Sequence, residues 1–476
     1  MNPLPSSHEH SQRHILHEEV HARPPIALWP EERVCSQAFL LTEPSHRANQ
    51  KAFIESLTKA LQTETHPVHG QNFRVLELLP EPRRLLLKWE LHGEFSTLTV
   101  YEQGTPEIEP DWTAPRQTML NRLRSRLMDL GLTMPGADFG ERISAVDIAI
   151  RRADPEEDAA IYAPLFSGNT LVGASILASG KAQVWTDFQF DSMGFIRILV
   201  NHQGMGSRQA GRVVQRLVDI DTYRMMSMLA LPRAKSLSEP LRKAEDELAG
   251  LSGQIALAES APVEQLQSMG ASGDTVGHDG KPGQPLPDHE GLLKGVSLLA
   301  ARVEEWISAH GLRFTASEAY VDLVRRAILE LKETPLPGVQ NLSEFMDRRF
   351  EPAMRTCRWT QRRLRELSDR VTRTTQILRT RIEFMNERQN QALLASMNRR
   401  AQLQLKLQQT VEGLSLVVLT YYSVGLVNYL AKGLRGLGLD VPVDLVTAVA
   451  IPVIGGLLLL GIRRARRRFV GPDAPL

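Results

Sequence analysis

Two uncharged runs lie close together near the C-terminus, residues 414–431 (LSLVVLTYYSVGLVNYLA) and 445–462 (LVTAVAIPVIGGLLLLGI). Each is about the length a helix needs to cross a hydrocarbon core, roughly 20 residues. One such run could be a buried core helix. Two in tandem predict a pair of membrane-spanning helices over 411–463, joined by a short glycine-bearing connection at 432–444. Arg463, Arg464, Arg466, Arg467 and Arg468 follow the second run, and Arg399, Arg400 and Lys406 precede the first. They outnumber Lys432 and Arg435 in the connection, so the positive-inside rule places both chain ends, including the basic tail 464–476, in the cytoplasm.

A long polar segment leads into the first run. Phe350, Met354, Cys357, Gln361, Leu364, Ser368, Val371, Thr375, Leu378, Ile382, Met385, Gln389, Ala392, Ser396, Arg399 and Leu403 follow steps of four and three. That spacing is the heptad signature of a helix packing along a seam. The seam is apolar as far as Met385 and polar beyond. No proline falls between Pro352 and Pro442, so one helix can run from this stalk, 341–410, into the first span. Either a second copy or the upstream helices of the same chain would cover the seam. The expectation is a homo-oligomer formed through stalk and first span.

The formal net charge of +1 gives no global case for nucleic acid, and membrane lipid explains the basic tail better. Cys35 and Cys357 are the two cysteines, which suggests a reducing compartment and no disulfide framework. The first residues contain no apolar core of a signal peptide. Together these features predict a multi-pass protein of the bacterial inner (plasma) membrane with a cytoplasmic body and an unidentified cytoplasmic partner.

The body reads as an α+β cytoplasmic domain over 15–206, preceded by a disordered tail over 1–14. A short helix is expected at 15–22, ended by Pro24 and Pro25. Strands are expected at 33–41, 73–79, 85–92, 95–101, 146–151, 169–179, 183–190 and 194–201, mostly pairing with sequence neighbours. Helices are expected at 47–62 and 116–130. From 207 to 340 the pattern is helical: one helix stopping at Pro232, then 237–257, 291–310 and 315–333. A Gly- and Pro-rich flexible linker occupies 260–288, and a break falls at 335–338.

His17-Glu18-Glu19-Val20-His21 matches H-E-x-x-H, in which two histidines one turn apart bind zinc and the glutamate activates water. Glu19 and the following Pro24-Pro25 make the context poor. A third ligand would be Glu43 or His46. The segment reads better as a polar docking element, with His21 and Arg23 offering an anion contact. Gly204-Met205-Gly206 opens a helix without a lysine in the phosphate-loop position. No nucleophile–base pair has interpretable spacing, so no enzyme activity and no cofactor are expected.

In the first span Tyr421, Gly425, Asn428 and Lys432 fall on one helical face, and Ser415, Tyr422 and Tyr429 on another. A polar residue in a span faces protein or a water-filled path, because exposing it to lipid is costly. Tyr421, Gly425 and Asn428 therefore form either a helix-packing face or a pore lining, with Glu412 at the cytoplasmic mouth. Gly455-Gly456 in the second span permits close helix packing.

EVHARP at 19–24, WTDF at 185–188, GRVVQRLVDIDTYRMMSMLALP at 211–232, PAMRTC at 352–357 and ERQNQALLASMNRRAQLQLKLQQTVEGLS at 387–415 carry a resemblance. On them the chain resembles a bacterial family of uncharacterised membrane-anchored proteins, domain of unknown function 3422. The resemblance implies a membrane anchor and a position 17 that need not be histidine. In layout the chain also resembles CorA-type magnesium channels, which combine an α/β domain, a stalk helix, two C-terminal spans and a basic tail. Arg388-Gln389-Asn390 is similar to the end of the channels' stalk. Gly425-Leu426-Val427-Asn428 stands where those channels have Gly-Met-Asn, and the connection is basic, which would repel a divalent cation. The expected function is a membrane-anchored scaffold or regulator. A CorA-like channel is the alternative, and a zinc-dependent hydrolase through His17 and His21 the second.

Overall fold

The computed structural model describes residues 10–13, 17, 25–61, 72–104, 112–153, 158–177, 182–260, 289–436 and 442–469. The expected tail 1–14, the 15–22 helix and the linker 260–288 fall wholly or largely outside them. The chain divides into two compact units, Met1–Thr375 and Gln376–Leu476.

In the first unit the strand-forming runs build one nine-stranded sheet. Its strands are β1 (Glu32–Leu40), β2 (Phe73–Leu79), β3 (Leu85–Leu91), β4 (Phe95–Gln103), β5 (Glu141–Arg152), β6 (Val172–Ile176), β7 (Ala182–Phe190), β8 (Ile196–His202) and β9 (Thr334–Pro335). The order is β2-β3-β4-β1-β5-β8-β7-β6-β9. The pairings are antiparallel except β5 with β8, which is parallel. Hairpins β2–β3, β3–β4, β6–β7 and β7–β8 pair sequence neighbours, whereas β1 is inserted between β4 and β5. Helices α1 (Pro44–Ala60), α2 (Thr113–Asp129), α3 (Ser207–Met228), α4 (Ala230–Ser260) and α5 (His289–Leu331) complete this α/β unit.

Side-chain alternation assigns the two faces of the sheet. Val34, Leu86, Val146, Ile148, Ile198 and Val200 share a core with α3, α4 and α5. Cys35, Leu87, Trp89 and Val100 point the other way and meet Ile54 and Leu57 of α1 and Met119 and Leu123 of α2. All seven residues of β3 and of β8 are buried, as layers on both faces require.

Several boundaries differ from the expectation. The helix expected to stop at Pro232 ends at Met228, and α4 begins at Ala230. Pro232 sits in the first turn of α4, where its missing N–H has no intrahelical partner to lose. The 291–310 and 315–333 helices are one, α5, running through Gly311. One glycine costs about 1 kcal/mol in a helix, and buried Val303, Phe314 and Val321 hold both sides in the same core. The break at 335–338 contains the start of an order-giving contact, since Thr334 and Pro335 pair with β6.

After a helical turn at Leu342–Phe345 and a π-turn at Met346–Phe350, α6 runs unbroken from Glu351 to Gly436, 86 residues. Lys432 and Gly433 therefore belong to this helix and not to the connection. The seam residues Met354, Cys357, Leu364 and Val371 are buried in one core with Leu241, Leu248, Leu299 and Phe314. Upstream helices of the same chain thus cover the first half of the seam, so this half is not open to a second copy. Beyond Ile382 the seam positions are exposed. The second unit ends in α7 (Val443–Phe469), 27 residues long, apolar as far as Ile462 and continuing through the first part of the arginine-rich tail.

Candidate functional site

The parts of α6 and α7 beyond the polar stalk are two helices long and apolar enough to cross a membrane. Their leucines and valines point outward: Leu414, Val417, Leu426, Leu457 and Leu460 are 63–67% exposed. A groove of about 960 Å³ lies along them, lined by Thr420, Tyr421, Gly425, Asn428 and Lys432 of α6 and by Thr447, Ile451 and Gly455 of α7. All four of the expected face residues, Tyr421, Gly425, Asn428 and Lys432, therefore line one cleft, and Tyr422 and Tyr429 from the neighbouring face join them. Glu412 lies on α6, but its side chain is outside the described residues.

Small residues shape this groove. A Cβ placed on Gly455 would stand 3.7 Å from Cγ2 of Thr420, ordinary contact, so α6 and α7 lie against each other here at a distance that a single methyl would still fit. Thr420 and Thr447 donate to carbonyls one turn back, Leu416 O at 2.7 Å and Val443 O at 2.8 Å, which satisfies hydroxyls within their own helix. The Asn428 amide, half-buried, has no hydrogen-bond partner among the described residues. The groove holds a polar strip and one cation, Lys432, with no acid–base pair. It is suited to binding or packing.

The zinc reading gains no geometry. His17 is exposed, while His21 and Arg23 lie outside the described residues. Glu43 and His46, the suggested third ligands, form a reciprocal cap on the N-terminus of α1, with Glu43 N donating to His46 Nδ1 at 3.4 Å. Among the described residues no group of three or more His, Cys, Asp or Glu is placed to hold a metal ion.

Buried charge networks in the sheet unit escaped the sequence reading. Asp147 on β5 accepts from Arg33 Nη2 at 2.6 Å and from Arg116 Nη1 at 3.0 Å, and Arg116 continues to Asp191 at 2.6 Å. The Arg116 guanidinium lies 4.2 Å from the Phe195 ring centroid. On the opposite face Lys88 pairs with Glu90 at 2.9 Å and donates to Gln215 of α3. Nearby, burial pushes the Glu32 carboxyl up to about 7. Asp187 accepts from Arg197 at 2.6 Å, from Asn169 at 2.9 Å and from the Gln189 N–H at 3.2 Å. Burial, then the Asp147 charge, raises the Cys35 thiol well above its ordinary range, and burial pushes Cys357 up to about 11. Both cysteines are held as thiols at neutral pH. The one sequence signal for these networks was a charged residue inside an apolar strand, as Asp147 is in AVDIAI.

The segment 25–30 is strapped onto α3. Leu28 N donates to Ser207 O at 3.1 Å, and the His202 ring lies 2.7 Å from Pro30 O. Gly211 of α3 faces the Ile26 carbonyl so closely that a Cβ there would lie 1.8 Å from the oxygen.

One family profile, described as Protein of unknown function (DUF3422), matches residues 8–273 and 275–469. No curated protein and no solved structure matches the chain.

Proposed function

This chain belongs to the DUF3422 family, and we propose that it is a membrane-anchored scaffold or regulatory protein. Its α/β unit would sit in the cytoplasm of a bacterium, and the two apolar helices would form a hairpin in the inner membrane with both chain ends inside. The observation that carries this reading is the outward-facing apolar surface of α6 and α7, which water would not tolerate at such extent. The same helix, Glu351–Gly436, carries both the buried half of the seam and the first apolar segment. The exposed remainder of the seam, from Met385 to Leu403, together with the first apolar segment, would form a coiled-coil contact with further copies.

The unpartnered Asn428 supports assembly, because an amide in hydrocarbon gains from a partner on another helix. It also keeps a second reading open, an oligomeric CorA-like channel in which the Tyr421–Gly425–Asn428 strip lines water. Fractionation of the full-length protein with an alkaline carbonate wash should leave it in the membrane; release into the wash would defeat the anchor. Light scattering in mild detergent should give more than one copy per particle, and a monomer would defeat assembly. Ion flux in proteoliposomes that responds to Asn428→Ala would favour the channel over the scaffold.

A further inference from the structure

The outer face of the proximal part of α6, within the first unit, carries a surface that the anchor reading does not use. Between Arg348 and Arg373 every cation is an arginine, nine in all, against three carboxylates, Glu351, Glu366 and Asp369. Arg358 and Arg363 are engaged, by Glu351 and by Glu245 of α4. Arg348, Arg362, Arg370 and Arg373 are exposed and make no ion pair among the described residues. Arg355 is 75% exposed, with Glu351 no closer than 3.8 Å. Arg355 and Arg362 are seven residues apart on α6, so they stand in a row on the side away from the buried seam, about 10 Å apart along the axis.

Trp359 lies in that row, four residues after Arg355 and three before Arg362, and is 54% exposed. Trp89, Trp112 and Trp185 are by contrast at most 3% exposed. The Trp359 ring is held in place from one side: the Arg363 guanidinium lies 4.4 Å from its centroid. That guanidinium is itself fixed by two hydrogen bonds to Glu245, at 3.0 and 2.6 Å. A presented tryptophan flanked by arginines has the composition of an interface hot spot. Holding it rigid lowers the ordering cost of binding.

We propose that this face, centred on Trp359 with Arg355 and Arg362, docks an acidic amphipathic helix of another protein. Charge complementarity calls for carboxylates, which arginine forks engage two-pronged, and Trp359 calls for an apolar contact between them. Glu366 and Asp369 interrupt the row. A continuous polyphosphate would meet them as repulsion, whereas a protein helix can set a cation against them. A parallel second copy would bring like charges face to face.

The test uses full-length protein in neutral detergent and a fluorescein-labelled three-heptad peptide with leucine on one helical face and glutamate elsewhere. Binding should saturate and weaken about tenfold in both Trp359→Ala and the Arg355→Glu/Arg362→Glu pair. Glu366→Lys should tighten it severalfold, an outcome that a misfolded variant does not give. Oligodeoxythymidine of matching length and phosphatidylglycerol vesicles run in parallel. The proposal is overturned if either outcompetes the peptide, if the peptide does not bind, or if the variants leave its binding unchanged. It is equally overturned if Trp359→Ala dissociates the protein's own assembly, since the face would then belong to a second copy.

Discussion

Arg116 and Asp147 meet at 3.0 Å inside the sheet unit, and neither side chain has exposed surface. The contact joins α2 to β5, and through Asp147 it also holds Arg33 of β1. Three elements far apart in sequence therefore depend on one carboxylate. Asp147→Ala leaves two guanidinium groups without that carboxylate and should destabilise the unit by about 3–5 kcal/mol. Thermal unfolding of full-length protein in detergent measures it. A loss near 1 kcal/mol would mean that water compensates the arginines.

Gly211 should tolerate no side chain. A Cβ at 1.8 Å from the Ile26 carbonyl requires the strap to leave α3. Gly211→Ala should cost on the order of 1–3 kcal/mol by overpacking and expose segment 25–30 to protease. Proteolysis at the wild-type rate would contradict the close approach.

Glu32 sets a pH dependence. Burial raises its carboxyl from 4.5 to about 7, against the opposing effect of the Trp29 amide that donates to it. A folded-state value above the unfolded one favours folding fully below the lower value, and the benefit is lost as pH rises through the higher. Stability should therefore fall between about pH 4.5 and 7, by up to roughly 3 kcal/mol. Glu32→Gln should flatten that slope. A variant with the wild-type slope would assign the dependence to other groups.

Asn428 and Gly455 should separate assembly from pairing within one chain. Asn428→Leu removes the unpartnered amide and should shift particles in detergent toward monomer. Gly455→Leu, whose branch would run into Thr420, should disturb contact between α6 and α7 first. If Asn428→Leu leaves particle mass unchanged, the amide is not the assembly contact.

Element positions were largely legible because each is written locally. The alternation in β3 and the β-branched residues at every second position of β5, Val146, Ile148 and Ile150, announce strands whatever lies beside them. Gly93-Glu94 announces the turn between β3 and β4. The single α5 was not legible, because Gly311 breaks the pattern and only the core around it shows that the helix continues. Of the candidate groove, the polar face on α6 could be read by spacing. The contribution of Thr447, Ile451 and Gly455 could not, since nothing in a sequence pairs one helix face with another.

The sequence by itself determined the apolar helices, the uninterrupted stalk and the strand inventory, because hydrophobic period and proline positions act over a few residues. Tertiary structure alone decided which partner covers the seam. Met354 and Val371 look the same in a heptad whether a second copy or α4 and α5 lie against them. Burial of the first half within its own chain leaves the opposite face, with Trp359, pointing into solvent. Likewise Asp147 is an isolated charge in a strand until folding brings Arg33 and Arg116 to it, and only that proximity makes its burial tolerable.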